Sequence, residues 1–154
     1  MNKTKRNVII AVILLLVLLA APFGPKLKQA VTGGRDTAEQ VHCTVAVSCA
    51  AADGLIGEES RFSVPADGWL LPQTTVTLSA GSTVLDALYK TGIAVETAGS
   101  PAYVTAVGGL SAGDAGEQSG WTYTVNGETV MTGCSQLTVQ AGDEILWTYV
   151  TTWE

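Results

Sequence analysis

Apolar and polar residues alternate along the segment 41–49, where Val41, Cys43, Val45, Val47 and Cys49 occupy every second position. A period of two is typical of a β-strand with one buried face. The segment 50–72 has no such period and contains turn signals, which predicts a long ordered loop or a pair of short strands. Shorter alternating or β-branched stretches predict further strands at 74–78, 93–95, 103–107, 121–125, 137–139 and 144–150, with a weaker one at 128–131.

One helix is predicted in the body of the chain, at 83–91. Thr83 can cap its first turn, and Asp86 stands three residues later, as a capping box requires. The apolar stripe of this helix consists of Val84, Leu85 and Leu88. Several short strands against one helix predict the α+β class, with a mixed sheet covered on one face by the helix.

The amino terminus has the pattern of an export signal. Three basic residues precede an unbroken apolar run of 14 residues at 8–21, and positive residues stay on the cytoplasmic side. The 17 residues 8–24 span about 25 Å as a helix, close to the roughly 30 Å of a bilayer core. The positions two residues before Ala20 and Ala21 are leucines, which disfavours signal cleavage. A retained signal-anchor and a cleaved signal peptide both remain open.

These features divide the chain into three parts. Residues 1–24 form the signal-anchor or signal peptide, residues 25–40 a polar linker, and residues 41–154 the folded domain. The expected location is the cell membrane, with a single pass and the carboxy-terminal domain outside the cell. If the signal is cleaved, the protein is secreted instead.

The charge of the body excludes one class of partner. The whole chain has a formal net charge of −6, but residues 25–154 carry 5 basic and 14 acidic side chains, a net charge of −9. Such a body is repelled by phosphates, which clustered Lys and Arg must neutralise. We therefore expect no binding to nucleic acid.

The chain contains no motif that predicts an enzyme. His42 is the only histidine, and its neighbour Cys43 points to the opposite face of the predicted strand, so the two cannot form a nucleophilic pair. No pair of ligands has the spacing of a metal site, and there is no phosphate-binding loop or nucleophile elbow. We predict no catalytic residues, no metal and no enzymatic activity.

The three cysteines allow two interpretations. Cys43 and Cys49 are six residues apart on one strand, about 20 Å, and cannot bridge each other. Cys134 can bridge one of them, with Cys49 the slightly better partner, because an exported domain permits disulfides. The alternative is three reduced, buried thiols.

Three segments carry a resemblance to a known family. They are Gly-Ser-Thr-Val-Leu-Asp-Ala-Leu at 81–88, Gly-Trp-Thr-Tyr-Thr-Val-Asn-Gly at 120–127, and Gly-Asp-Glu-Ile-Leu-Trp-Thr-Tyr at 142–149. In this order and spacing they resemble a domain of unknown function (DUF4430-like) that is similar to the C-terminal domain of transcobalamin and intrinsic factor. The resemblance extends from about residue 43 to residue 151. One departure is Ala115, where relatives often carry a cysteine.

The resemblance implies a β-grasp fold, in which a sheet grips one helix. It implies an exported or surface-anchored protein of Gram-positive bacteria, with no enzymatic activity. In the vitamin carriers the related domain closes over one face of cobalamin alongside a larger helical domain. Cobalamin is therefore a ligand implied by resemblance alone, and no other cofactor is expected.

Aromatic residues are the remaining clue to a binding site. Trp121 and Tyr123 share one face of their predicted strand, and Trp147, Tyr149 and Trp153 share a face at the end of the chain. Aromatic strips either pack in a core or bind ligands, and one face of the sheet must pack on the helix. Both interpretations remain open for these strips.

If the chain has a ligand site, it should lie at Gly120, Trp121, Tyr123 and Asn126, with the loop 111–119 as its rim. The predicted function is a non-enzymatic, membrane-anchored, extracytoplasmic binding or adhesion module, whose partner is an unknown small molecule or cell-surface protein. Two alternatives are a corrinoid-capturing surface protein and an accessory protein–protein interaction domain of a cell-surface complex.

Overall fold

The computed structural model describes residues 39–57 and 60–153. The predicted signal segment and nearly all of the predicted linker lie outside the described residues. Within the described part of the chain, none of the helices has the length and apolar character needed to cross a membrane.

The domain contains two sheets and one α-helix, and this confirms the predicted α+β class. A mixed sheet has five strands in the order β2-β1-β8-β6-β7, and a second sheet has three in the order β3-β4-β5. A short 3-10 turn at Ala50–Ala52 follows β1. The elements are β1 (Gln40–Ser48), β2 (Trp69–Ser79), α1 (Val84–Lys90), β3 (Val95–Ala98), β4 (Tyr103–Val107), β5 (Leu110–Ser111), β6 (Gly120–Val125), β7 (Glu128–Thr129) and β8 (Glu144–Val150).

Strand β1, the first strand of the described chain, lies inside the five-stranded sheet and pairs with β8, the last strand. It pairs antiparallel with β2 and parallel with β8, where Val45 lies opposite Ile145. Cys43, Val45 and Val47 are buried, and this confirms the face predicted from the alternation. The polar residues of β1 lie on the other face, against which no helix packs within residues 39–57 and 60–153.

The buried face of the sheet is aromatic on β6 and β8. Trp121 lies opposite Tyr149, and Tyr123 lies opposite Trp147, in the antiparallel pairing of these strands. The ring centroids are 5.1 Å apart in both pairs. Aromatic pairs at this distance add to the stability that burial gives, and they form much of the core on this side.

Helix α1 forms where the sequence predicts it. Thr83 and Asp86 make the capping box, since the side chain of each accepts from the backbone N–H of the other. Val84, Leu85 and Leu88 are buried and face the sheet at β2 and β1. A seven-residue helix is too short to be stable alone, so this packing and the cap hold it.

Several elements differ from the prediction. Strand β3 begins at the last residue of the predicted strand 93–95, and no strand was predicted at β5. The segment 137–139 is not a strand; it makes one isolated bridge, Thr83 to Thr138, because its backbone binds the start of the helix. Strand β2 begins at Trp69, earlier than predicted, because irregularities in β2 on both sides of Leu71, each with one extra residue, let its pairing with β1 continue past Pro72.

Candidate functional site

A pocket of about 320 Å³ opens beside β6, between that strand, β4 and the end of the chain. Its volume falls at the lower end of the range that is usual for small-molecule sites. Five aromatic side chains line it, and they come from β4, β6, β8 and the residues after β8. They are Tyr103, Trp121, Tyr123, Trp147 and Trp153.

Three of the four predicted site residues line this pocket. Gly120, Trp121 and Tyr123 contribute to its wall, together with Ala112 and Ser119 from the predicted rim loop. Trp121 and Tyr123 are each only 7% exposed. Core packing and a position at the pocket are therefore both found for this strip, because the same two rings are buried in the core and border the pocket.

Asn126, the fourth predicted residue, lies at the other end of β6 and does not line the pocket. Its backbone has a positive φ of 53°, which the hairpin turn to β7 requires. Its Nδ2 donates to Asp143 Oδ1 at 2.9 Å, and its Oδ1 accepts from the Glu144 N–H at 2.9 Å. These bonds connect the turn after β6 to the turn before β8, so the Asn126 side chain stabilises the fold at this end of the sheet.

The polar groups of three buried aromatic residues are bound within the protein. Trp121 Nε1 donates to the Leu110 carbonyl at 3.0 Å, and the Tyr123 hydroxyl donates to the Thr132 carbonyl. Tyr149, behind the pocket, donates to the Ser111 carbonyl at 2.7 Å. Trp147 differs from all of them. Its side chain is 2% exposed, and its Nε1 has no hydrogen-bond partner among the described residues.

The rim loop 111–119 is held by one buried serine. The Ser119 hydroxyl donates to the Gly116 carbonyl at 2.7 Å and accepts from the backbone N–H groups of Gly113 and Ala115. It also lies 2.8 Å from the Tyr149 hydroxyl. A serine in a polar loop gives no sequence signal of this role, which depends on a contact with β8.

Two exposed aromatic side chains border the mouth of the pocket. Tyr103 is 60% exposed and Trp153 is 59% exposed. Trp153 lies beyond the end of β8, so the prediction that it continues the strand face of Trp147 and Tyr149 is wrong. A Cβ on Gly120 would stand 2.9 Å from Trp153 Cζ2, so glycine allows the indole to lie against β6.

The pocket lining contains no charged side chain among the described residues. The same part of the chain has no group of three or more His, Cys, Asp or Glu residues placed to hold a metal ion. His42 does not line the pocket. It lies on the outer face of β1, where its Nδ1 is 2.9 Å from Thr77 Oγ1.

Cys134 is the one cysteine that lines the pocket, and its Sγ lies 3.7 Å from the Ala102 carbonyl. Cys43, Cys49 and Cys134 are all buried free thiols, so the bridge between Cys49 and Cys134 is not formed in this structure. Burial raises the pKa of each thiol. Burial also raises the pKa of Tyr123, and the nearby Cys134 raises it further.

A second cavity, of about 370 Å³, lies on the outer face of the five-stranded sheet. Its wall includes Thr44, Ala46 and Leu146, with Trp69 as its only aromatic residue and Glu144 as its only charged one. It is slightly larger than the aromatic pocket, but it has no buried polar group without a partner. The aromatic pocket is therefore the stronger candidate site.

Fold and pocket together define a small α+β domain with a cavity lined by aromatic side chains. Residues 81–151 match the model of the family described as Domain of unknown function (DUF4430). Over these residues the resemblance inferred from the sequence is confirmed. The match contains β6, β8 and most of the pocket, whereas β1 and β2 lie before it.

Two solved structures are similar to this chain. Haptocorrin in complex with Cbi matches with a TM-score of 0.53 and 18% identity, over 75% of this chain and 26% of the haptocorrin chain. A candidate metal binding protein from Ruminococcus gnavus ATCC 29149 matches with a TM-score of 0.46 and 20% identity, over 73% of this chain and 99% of that one. The chain thus spans about a quarter of haptocorrin, with which it shares a fold. The search of curated proteins found no match.

Proposed function

We propose that this protein is a non-enzymatic binding module that displays its aromatic pocket outside the cell membrane. The amino-terminal basic and apolar residues act as a signal-anchor, residues 25–40 as a linker, and residues 41–154 as a β-grasp-like ligand-binding domain. The pocket beside β6 supports this proposal most directly, because five aromatic side chains surround an uncharged space. Aromatic side chains supply large contact area at low entropic cost.

The chemistry of the pocket also supports binding without catalysis. Cys134 is the one nucleophilic thiol in the wall, and burial raises its pKa, so the thiol form prevails at neutral pH. A protonated thiol is a poor nucleophile. The single histidine is held on the other face of the sheet by Thr77, where it cannot act as a base for Cys134.

Binding is tested on the full-length protein, solubilised in a detergent without a sugar headgroup. We expect ligands from a library of small neutral and charged molecules to quench or shift the tryptophan fluorescence saturably. The variant Trp153→Ala should weaken this binding, while Trp69→Ala, in the second cavity, should not. If no ligand binds, or if both variants bind equally, the pocket is not the site.

A corrinoid ligand is a second candidate, supported by the fold shared with haptocorrin in complex with Cbi. A space of about 320 Å³ is too small for a whole corrin ring, so such a ligand would insert only an edge or a side chain. Titration of the full-length protein with cyanocobalamin, followed by absorbance, tests this. The absence of any spectral or calorimetric change at high micromolar concentration would remove the corrinoid.

A third candidate is an accessory module that binds another surface protein through strand β2. This strand is 11 residues long, carries no charged side chain and pairs on one side only, with β1, among the described strands. Long uncharged edges accept an added strand. Co-purification of one defined protein, lost in the variant Thr75→Pro and retained in Thr75→Ala, would support this role.

The location is tested separately. We expect the full-length protein in the membrane fraction of the native host, with residues 41–154 digested by protease added to intact cells. Amino-terminal sequencing of the mature protein distinguishes the two alternatives, since a retained anchor keeps its basic start. Recovery only in the medium would favour the cleaved signal peptide.

A further inference from the structure

The charges around the aromatic pocket limit what it can hold. No Asp, Glu, Lys, Arg or His lines it among the described residues. An anionic ligand would find no cation there and would meet a body of net charge −9. A cationic ligand would find no carboxylate in the wall. The wall therefore offers an ion pair to neither sign of charge, which favours a neutral ligand over every charged one except a quaternary ammonium group, which aromatic rings alone can hold.

The unpaired indole of Trp147 adds a directional requirement. Trp121 and Trp147 both line the pocket, but only Trp121 has its Nε1–H bound, to Leu110. A buried donor without an acceptor costs about 1–3 kcal/mol. The nitrogen itself is closed to solvent, so an acceptor oxygen of a ligand would relieve that cost only if a side chain of the pocket wall moved aside, whereas a hydrocarbon would not relieve it at all.

The mouth of the pocket adds a shape requirement. Tyr103 and Trp153 are more than half exposed although both are large aromatic residues. Exposed aromatic side chains beside a pocket are typical of sites that contact an extended, amphipathic ligand. Ligand C–H groups are attracted to the negative face of such a ring. One or two saturated rings would fit the volume of about 320 Å³.

We propose that the pocket binds a neutral carbohydrate, as one or two pyranose rings. The apolar C–H face of a sugar ring lies against Trp153, and a hydroxyl or ring oxygen accepts a hydrogen bond from Trp147 Nε1 after a small movement of the pocket wall exposes that nitrogen. Sugars combine an apolar face, acceptor oxygens and no charge, which are the three properties that the pocket requires. This inference rests on the proposed function and names the ligand class of the same pocket.

The first test uses the full-length protein in a polyoxyethylene detergent, since maltoside or glucoside detergents would compete. Its four tryptophans give four indole N–H resonances in an ¹⁵N spectrum, assigned by single Trp→Phe variants. Neutral mono- and disaccharides of glucose, galactose and N-acetylglucosamine are added. We expect at least one to shift the resonance of Trp147 saturably and leave that of Trp69 in place. No shift of Trp147 with any of these sugars overturns the proposal.

The second test measures affinity for the sugar found. Trp153→Ala should weaken it about tenfold, because a stacked ring is lost. Trp147→Phe keeps an aromatic ring and removes only the donor, so it should weaken binding about three- to tenfold. Trp69→Phe is the matched control and should change nothing. Unchanged affinity in Trp153→Ala or in a folded Trp147→Phe contradicts the proposal; if the latter fails to fold, the wild-type resonance shift decides.

Two further ligands separate this inference from the proposed function. Choline tests the pocket as a cage for cations, and cyanocobalamin tests the corrinoid. If either binds and Trp153→Ala weakens it while neutral sugars do not bind, the pocket is a ligand site and the carbohydrate inference is wrong. If nothing binds at all, the proposed function fails as well.

Discussion

The hydroxyl groups of Ser119 and Tyr149 lie 2.8 Å apart in the interior of the domain. Tyr149 belongs to β8, whereas Ser119 ends the loop that forms the rim of the aromatic pocket. Tyr149 also donates to the Ser111 carbonyl, at the start of the same loop. One tyrosine hydroxyl thus holds both ends of the loop 111–119.

Replacing Tyr149 by phenylalanine should loosen this loop. The ring stays buried, but the Ser111 carbonyl loses its donor and Ser119 loses a close polar contact, which should lower the free energy of unfolding by about 1–3 kcal/mol. We expect faster amide hydrogen exchange at 111–119 than elsewhere in the domain. Urea unfolding and hydrogen exchange of the full-length protein measure the two effects.

Tyr89→Phe is the control for that variant. The Tyr89 hydroxyl is exposed and lies 3.4 Å from Thr97 Oγ1, so its loss should change stability by no more than about 0.5 kcal/mol. Equal effects of the two substitutions would show that the Ser119–Tyr149 contact does not hold the loop.

The two buried tryptophans of the pocket should respond differently to phenylalanine. Trp121→Phe removes a hydrogen bond that the buried Leu110 carbonyl accepts. Trp147→Phe removes a donor with no partner among the described residues. Both lose ring area, so Trp121→Phe should be the more destabilising by about 1 kcal/mol in urea unfolding. The opposite order would mean that Trp147 Nε1 is bound in solution.

Gly120→Ala should move Trp153 with little cost to the fold. The new Cβ would stand 2.9 Å from Trp153 Cζ2, at the free end of an exposed side chain, and the backbone of Gly120 needs no positive φ. We expect greater acrylamide quenching of tryptophan fluorescence and weaker ligand binding. Gly57→Ala is the control, because nothing lies within 4 Å of its added Cβ; similar quenching in both variants would contradict the contact.

Alkaline pH should destabilise the domain. Burial raises the pKa of Cys134 above 9.0, and burial together with Cys134 raises that of Tyr123 above 10.0. A raised pKa means that the folded state retains its protons longer, so this contribution to stability is complete below pH 9 and is lost as pH rises through the folded pKa. Urea midpoints should be constant from pH 6 to 8 and fall above pH 9.

Cys134→Ala checks the cause of that fall. It should lower stability at pH 7, because a buried side chain is lost, but the further decrease above pH 9 should be smaller than in the wild type. It should also bring the pKa of Tyr123, followed by ultraviolet absorbance, closer to its ordinary value. An unchanged alkaline decrease and an unchanged tyrosine titration would exclude Cys134 as a source.

Local patterns predicted the elements well because their causes lie within a few residues. The capping box of Thr83 and Asp86 needs one helical turn, and the alternation in β1 needs only its own side chains. Strand β8 was predicted with the bounds that the structure has. The turn at Asn126 follows from the tolerance of asparagine and glycine for positive φ.

Long-range pairing was beyond these patterns. The separation of β3, β4 and β5 into a second sheet depends on which strands meet, and no local period encodes that. The sequence identifies the aromatic strip of Trp121 and Tyr123. It does not show that these rings both pack in the core and line a pocket, because the pocket also needs β4 as a wall. The position of Asn126 away from the pocket follows from strand direction, since it ends the strand that Gly120 begins.

The pairing of Val45 with Ile145 has a consequence for synthesis. The two residues are one hundred positions apart, so the middle of the large sheet cannot close until β8 has left the ribosome. Contacts of such sequence separation slow folding. A chain cut before residue 144 would leave the flanks of β1 and β6 bare, so truncated products should aggregate or be degraded rather than persist as a smaller domain.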